Sequence, residues 1–216
     1  MMTVEEVMHE LKSMGDERTA ATWRRHGATG DLFGVKIGDM KKILKRIKGD
    51  QNLAMQLWET NNGDAMYLAA LVADGNKMTK KQLDTWATTA WWSMLGDYSV
   101  PWVASENDAA FAIAMQWLKM KNADRAACGW RTYSSAISIR PDEQLDLNEI
   151  RGLLSRVETD IDRVAGRLRY AMNSFVIAVG SYVTPLLNEA KNTAKNIGVV
   201  KVDMGQTACK VPVAAE

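Results

Sequence analysis

Two cysteines and two histidines are all that the 216 residues offer to disulfide or metal chemistry. Cys128 and Cys209 stand far apart with no CxxC spacing, and His9 and His26 fall on different predicted helices with no i, i+4 partner. These absences argue against a disulfide framework and against a zinc site, and they fit a reducing cytoplasm. Cys128, beside Gly129 and Trp130 and without a basic neighbour in sequence, reads as a small packed thiol rather than a nucleophile. Gly30-Asp31-Leu32-Phe33-Gly34 lacks the lysine and hydroxyl of a phosphate-binding loop, so no cofactor or metal is expected. No apolar run reaches the roughly 20 residues that cross a bilayer, and the opening Met-Met-Thr-Val-Glu-Glu is acidic where a secretory signal is basic. Charge of one sign is missing too: the formal net charge is +1, which by itself does not mark a nucleic-acid binder, although a local stripe on a neutral protein still binds phosphates.

What is present is helical patterning. Thr3-Val4-Glu5-Glu6 and Thr79-Lys80-Lys81-Gln82 have the capping-box spacing, in which a threonine hydroxyl and a side chain three residues on satisfy each other's backbone N–H groups. Arg24-Arg25-His26-Gly27 places cations at a helix end and a glycine to stop it. From Ile37 onward, at about 100° per residue, Ile37, Met40, Ile43, Leu44 and Ile47 share one face. Lys41, Lys42, Lys45, Arg46 and Lys48 share the other, which reads either as a solvated face or as a phosphate-binding one. Residues 51–60 and 64–73 read as an antiparallel pair joined by Asn61-Asn62-Gly63, whose Asn-Gly supplies the left-handed turn. Residues 123–137 form a helix with Ala126, Trp130, Tyr133 and Ile137 inside and Arg125 on its flank. The longest helix is predicted over 161–182, with Arg163, Arg167, Tyr170 and Ser174 along one line. Helix pairs recur at irregular intervals of about 30 to 40 residues, the texture of stacked repeats. Residues 1–197 are therefore expected to form one helical repeat domain, and 198–216 a C-terminal extension whose final Val211–Glu216 looks cut short.

The segment from Thr79 to Ser135 carries Trp86, Trp91, Trp92, Trp102, Trp117 and Trp130. With Phe33-Gly34-Val35-Lys36, the basic helix after it, and Leu57-Trp58 before an alanine-rich helix, this segment resembles the DNA alkylation repair glycosylase family. The resemblance implies an all-α, HEAT-like α-solenoid of antiparallel helix pairs whose concave face holds double-stranded DNA. It also implies excision of cationic N-alkylated purines of the 7-methylguanine and 3-methyladenine type. In that family an aspartate stabilises the developing sugar cation, aromatic rings pack on the deoxyribose, and an arginine holds the backbone. Arg125 matches the arginine. The family motif Trp-Asp-x-x-Asp reads here Gly96-Asp97-Tyr98-Ser99-Val100, so the ring has become Gly96 and the catalytic carboxylate Val100, and a second ring falls near Ser174. Asp97 is then either the remaining acid, with Trp91, Trp92, Tyr98 or Trp102 supplying the ring, or an N-cap-like aspartate before the helix that begins at Val100-Pro101. Lys41, Lys42, Lys45, Lys121, Arg125, Arg163 and Arg167 are the expected phosphate contacts. A monomer is expected, and the alternative function is a protein-interaction scaffold using the same surface.

Overall fold

The computed structural model describes residues 2–216, and every regular element among them is helical. Both capping boxes form. The Thr3 amide donates to Glu6 Oε2 at 2.8 Å and the Glu6 amide to Thr3 Oγ1 at 3.3 Å, with Thr79 and Gln82 repeating the exchange at 2.8 and 3.3 Å. Asp16, Asp50, Asn62, Asn122 and Asp146 cap further helices through side-chain oxygens. The chain divides into two units, one running to Asp108 with Gly205–Thr207, the other Ala109–Met204 with Ala208–Glu216.

The first unit holds α1 (Val4–Ser13), α2 (Glu17–Arg25), α3 (Ile37–Ile47), α4 (Gln51–Glu59), α5 (Gly63–Val72), α6 (Lys80–Thr89) and α7 (Val100–Glu106). Gly27, at φ 87°, ends α2 as its sequence position requires. In the α4–α5 link the left-handed residue is Asn61, at φ 55°, and not the glycine. Gly63 is needed for a different reason: a Cβ there would lie 3.0 Å from the Trp91 ring. Successive first helices touch, α1 on α4 and α4 on α6, the latter through Trp58 and Trp86 stacked at 4.1 Å with the Trp58 indole N–H donating to Thr89 Oγ1 at 2.9 Å. Successive second helices touch likewise, with α5 lying between α3 and α7 and buried at every residue but Leu71. This pairing is what a repeat predicts, since one helix pair cannot bury its apolar faces alone.

The second unit holds α8 (Ala110–Trp117), α9 (Ala123–Ser138), α10 (Leu147–Asp160), α11 (Gly166–Tyr182) and α12 (Leu187–Ile197). Helix α9 closes so tightly on the end of α8 that a Cβ at Gly129 would sit 2.4 Å from the Leu118 amide nitrogen. Helices α9 and α11 run side by side in the same direction: Arg167 faces Asp124 at their starts, and Trp130 and Tyr133 meet Phe175 at 5.0 and 5.7 Å midway. Cys128 is buried, as a packing thiol should be. The helix expected over 161–182 is interrupted. Ile161–Arg163 is a 3₁₀ turn, Ala165 is extended at φ −131°, and Gly166 takes φ 54°, so Arg163 leaves the line of Arg167, Tyr170 and Ser174. Beyond Ile197 the backbone is irregular, with Val200 buried and Pro212 accepting from Asn173 Nδ2 at 2.9 Å. Among the described residues no single helix is long and apolar enough to cross a membrane.

Tyr133 gives the second unit a testable response to pH. Its side chain is 1% exposed and its hydroxyl donates to Glu149 Oε1 at 2.9 Å. Burial first, then the hydrogen bond to Glu149 and the charges of Glu149 and Asp146, push the phenol far above the ordinary tyrosine range. The folded chain thus keeps a proton that the unfolded chain releases near pH 10, so this contribution is complete below about pH 10 and is lost as pH rises, at up to about 1.4 kcal/mol per unit. In alkaline urea titrations Tyr133→Phe is expected to flatten that limb at a pH-independent cost of about 1 kcal/mol. An unchanged alkaline slope would contradict it.

Candidate nucleic-acid interface

The stretch Gly96–Val100 has an unusual backbone. Leu95–Ser99 forms a π-helical turn that runs directly into α7, a wide turn of a kind found often at functional sites. Asp97 lies inside it, 7% exposed, and the N-cap of α7 is Ser99, which makes no side-chain cap. The N-cap-like reading of Asp97 is therefore corrected: a helical turn already precedes α7, so there are no first-turn amides for that carboxylate to cap. Val100 is fully buried.

The four nominated rings part company. Trp91 lies over Gly30 and Gly63, where an added Cβ would come within 2.8 and 3.0 Å of it. Trp92 is buried, donates its indole N–H to the His26 carbonyl at 3.1 Å and leans on Trp23 at 5.7 Å. Both serve to hold the loop after α2 against α5. Tyr98 is half-buried and meets Trp102 at 6.1 Å, while Tyr67 meets the same ring edge-on at 6.3 Å. Trp102, 40% exposed, is the ring that this cluster presents to solvent. Its signal was in the sequence: Val100, Val103 and Ala104 make the buried stripe of α7, and Trp102 lies off it.

On α3, Lys41, Lys42, Lys45 and Arg46 are exposed as the wheel predicts, and so is Lys48 just past its end. Two of them already have anionic partners. Lys42 Nζ lies 2.7 Å from Asp39 Oδ1, lowering the Asp39 pKa, and Arg46 pairs with Glu10. Such exposed pairs hold weakly, so both cations remain exchangeable. Lys41 and Lys45 make no ion pair among the described residues.

What aims α3 is a residue that periodicity does not reveal. Asp64, 2% exposed at the start of α5, accepts the amides of Phe33 at 2.6 Å and Gly34 at 3.1 Å on Oδ2, and of Val35 at 2.9 Å on Oδ1. Burial pushes its carboxyl above the usual range while the three amides pull it back. Gly34, at φ 77°, passes so close to α2 that a Cβ would meet the Asp16 carbonyl oxygen at 2.5 Å. The Phe33-Gly34-Val35-Lys36 stretch is thus a backbone latch that sets where α3 begins.

In the second unit, Arg125 sits in the first turn of α9, its amide donating to Asn122 Oδ1 at 2.9 Å and its guanidinium carbon 5.0 Å from the Trp117 ring centre. Lys121 is exposed but belongs to the loop before α9, not to a helix, because Asn122 caps that helix. Arg167 opens α11 with Nη1 3.8 Å from Asp124 Oδ1, and Arg163, in its 3₁₀ turn, lies 3.9 Å from Asp160 Oδ1. The parallel run of α9 and α11 thereby gathers Lys121, Asp124, Arg125 and Arg167 at one end of this unit. Ser174 is half-buried, with Tyr170 one turn before it carrying the ring, and the Arg131 guanidinium lies 4.6 Å from that ring's centre. Among the described residues no group of three or more His, Cys, Asp or Glu could hold a metal ion.

A family model described as DNA alkylation repair enzyme matches residues 7–196. Uncharacterised proteins of Listeria innocua and Listeria monocytogenes are each 36% identical, over 98% of this chain and 94% of theirs. A solved structure described as a new family of proteins related to the HEAT-like repeat DNA glycosylases, with affinity for branched DNA structures, superposes with a TM-score of 0.91. It is 34% identical and the match covers 99% of this chain and 91% of that one. The fold is therefore the all-helical, HEAT-like one that the sequence led us to expect.

Proposed function

The chain belongs to the DNA alkylation repair enzyme family, and from that premise we propose that it binds the DNA backbone, favouring branched DNA, and does not excise alkylated purines. The observation that carries this reading is Val100, a fully buried apolar side chain at the position where the family motif calls for its catalytic carboxylate. Stabilising a sugar cation needs a preorganised negative charge, and losing it costs at least about a hundredfold in rate. Asp97 does not supply it, because its carboxylate is packed inside the π-helical turn. The phosphate-facing chemistry survives: exposed lysines on α3, Lys121, and the guanidinium groups of Arg125, Arg163 and Arg167. Such groups position DNA without reading its sequence. The affinity of the solved relative for branched DNA supports the choice of ligand.

Two measurements test it. Fluorescence anisotropy with a four-way junction and a linear duplex of equal length is expected to show tighter binding to the junction. Single-turnover incubation with DNA containing 7-methylguanine is expected to release no base above the buffer control. Release that Asp97→Asn abolishes would restore the excision activity with Asp97 as its acid, and no DNA binding at 50 mM salt would favour the protein scaffold.

A further inference from the structure

An open groove of about 480 Å³ runs along α2 to the start of α3 in the first unit. Trp23 and Ile37 form its apolar floor, Thr19 and Thr22 one wall, and Arg18 and Lys36 its cationic rim. The Trp23 ring is half-buried, braced from behind by Trp92 at 5.7 Å, and its indole N–H has no hydrogen-bond partner among the described residues. Arg18 and Lys36 are exposed, and neither makes an ion pair among the described residues. Asp16 also lines the groove; its Oδ1 accepts the Thr19 amide at 2.8 Å, and that bond first, with the Lys36 charge after it, lowers its pKa, so Lys36 faces Asp16 as well as a bound phosphate.

We propose that this groove is a stacking site for one unpaired nucleobase, with Trp23 as the platform and Arg18 and Lys36 holding the flanking phosphate. A rigid indole face with one exposed side accepts any base, because every base has a π-face. Cations on the rim then select a base that carries its backbone. The volume lies in the range of pockets that enclose small ligands, and it suits a nucleotide better than a helix, which would need a longer apolar track. The site rests on the DNA-binding reading above and deepens it: base pairs at a branch point open more readily than those inside a continuous duplex, and an opened base can enter the groove. Neither Trp23, Arg18 nor Lys36 belongs to the phosphate-contacting set assigned there.

The test uses the full chain and two probes of equal length, a perfect duplex and the same duplex with a three-nucleotide gap carrying 2-aminopurine at its centre. Wild-type protein is expected to quench the 2-aminopurine on binding. Trp23→Ala is expected to lose about tenfold in affinity for the gapped probe, with duplex affinity unchanged within about twofold, while Trp23→Phe retains most of it. Because Trp23 also braces Trp92, Lys36→Gln serves as a surface variant that leaves packing intact, and it should weaken the gapped probe selectively. Equal losses on both probes, or binding with no quenching, would overturn the stacking site and leave the DNA-binding reading standing. A wild-type protein that binds neither probe would remove both.

Discussion

Raising salt from 50 to 200 mM is expected to weaken DNA binding by two to three orders of magnitude. Each phosphate neutralised releases condensed counterions, so the logarithm of affinity falls with the logarithm of salt at about 0.9 per contact. Seven cations are candidates: Lys41, Lys42, Lys45, Lys121, Arg125, Arg163 and Arg167. Lys42, Arg163 and Arg167 must first give up Asp39, Asp160 and Asp124. That exchange is cheap for exposed pairs, and four to six effective contacts give roughly a 150- to 2,000-fold loss over this range. Lys41→Ala and Lys45→Ala should each shallow the slope by about one and weaken duplex and junction alike, since a phosphate contact carries no shape information. Anisotropy titrations at four salt concentrations measure this directly. A slope below about two would mean that these side chains do not meet phosphate.

The second large effect falls on stability. Asp64→Ala is expected to destabilise the first unit by about 3–6 kcal/mol, because it strands the amides of Phe33, Gly34 and Val35, and an unmade hydrogen bond to a buried group costs about 1–3 kcal/mol each. That is a large part of the 5–15 kcal/mol that holds a typical domain together. Asp64→Asn keeps one carbonyl acceptor but presents an NH₂ to the remaining amides, so it should fall between wild type and alanine. Urea unfolding followed by tryptophan fluorescence reports the loss, and hydrogen exchange at Phe33–Val35 locates it. A shift under about 1 kcal/mol in the alanine variant would show that the latch is not held by this carboxylate. Since the latch sets where α3 begins, Asp64→Asn should also weaken DNA binding even where the protein remains folded.

Single-residue signals explain how far the sequence reads correctly. Thr3 and Thr79 announced their helices because a capping box is local, closing within three residues. The apolar and cationic faces of α3 followed from the helical period alone, and both are where that period puts them. The break before α11 was missed because Val164-Ala165-Gly166 continues an apolar pattern, while the turn depends on Gly166 at φ 54°, which periodicity does not record. Trp91 and Trp92 looked like candidate ring donors by their neighbourhood to Asp97. Their work is instead against residues about 30 to 65 positions earlier, Gly63, Gly30 and His26, and no local rule reaches that far.

Helix pairs, their caps and the charged face of α3 were set by the sequence itself, because each depends on residue type and on neighbours within a turn or two. Only the tertiary structure decided that Asp97 is enclosed in a π-helical turn, that Asp64 latches the approach to α3, and that Trp23 lines an open groove with two cations. Burial and hydrogen-bond partnership are properties of what packs against a side chain. In a stack of helices those partners come from the next repeat, tens of residues away.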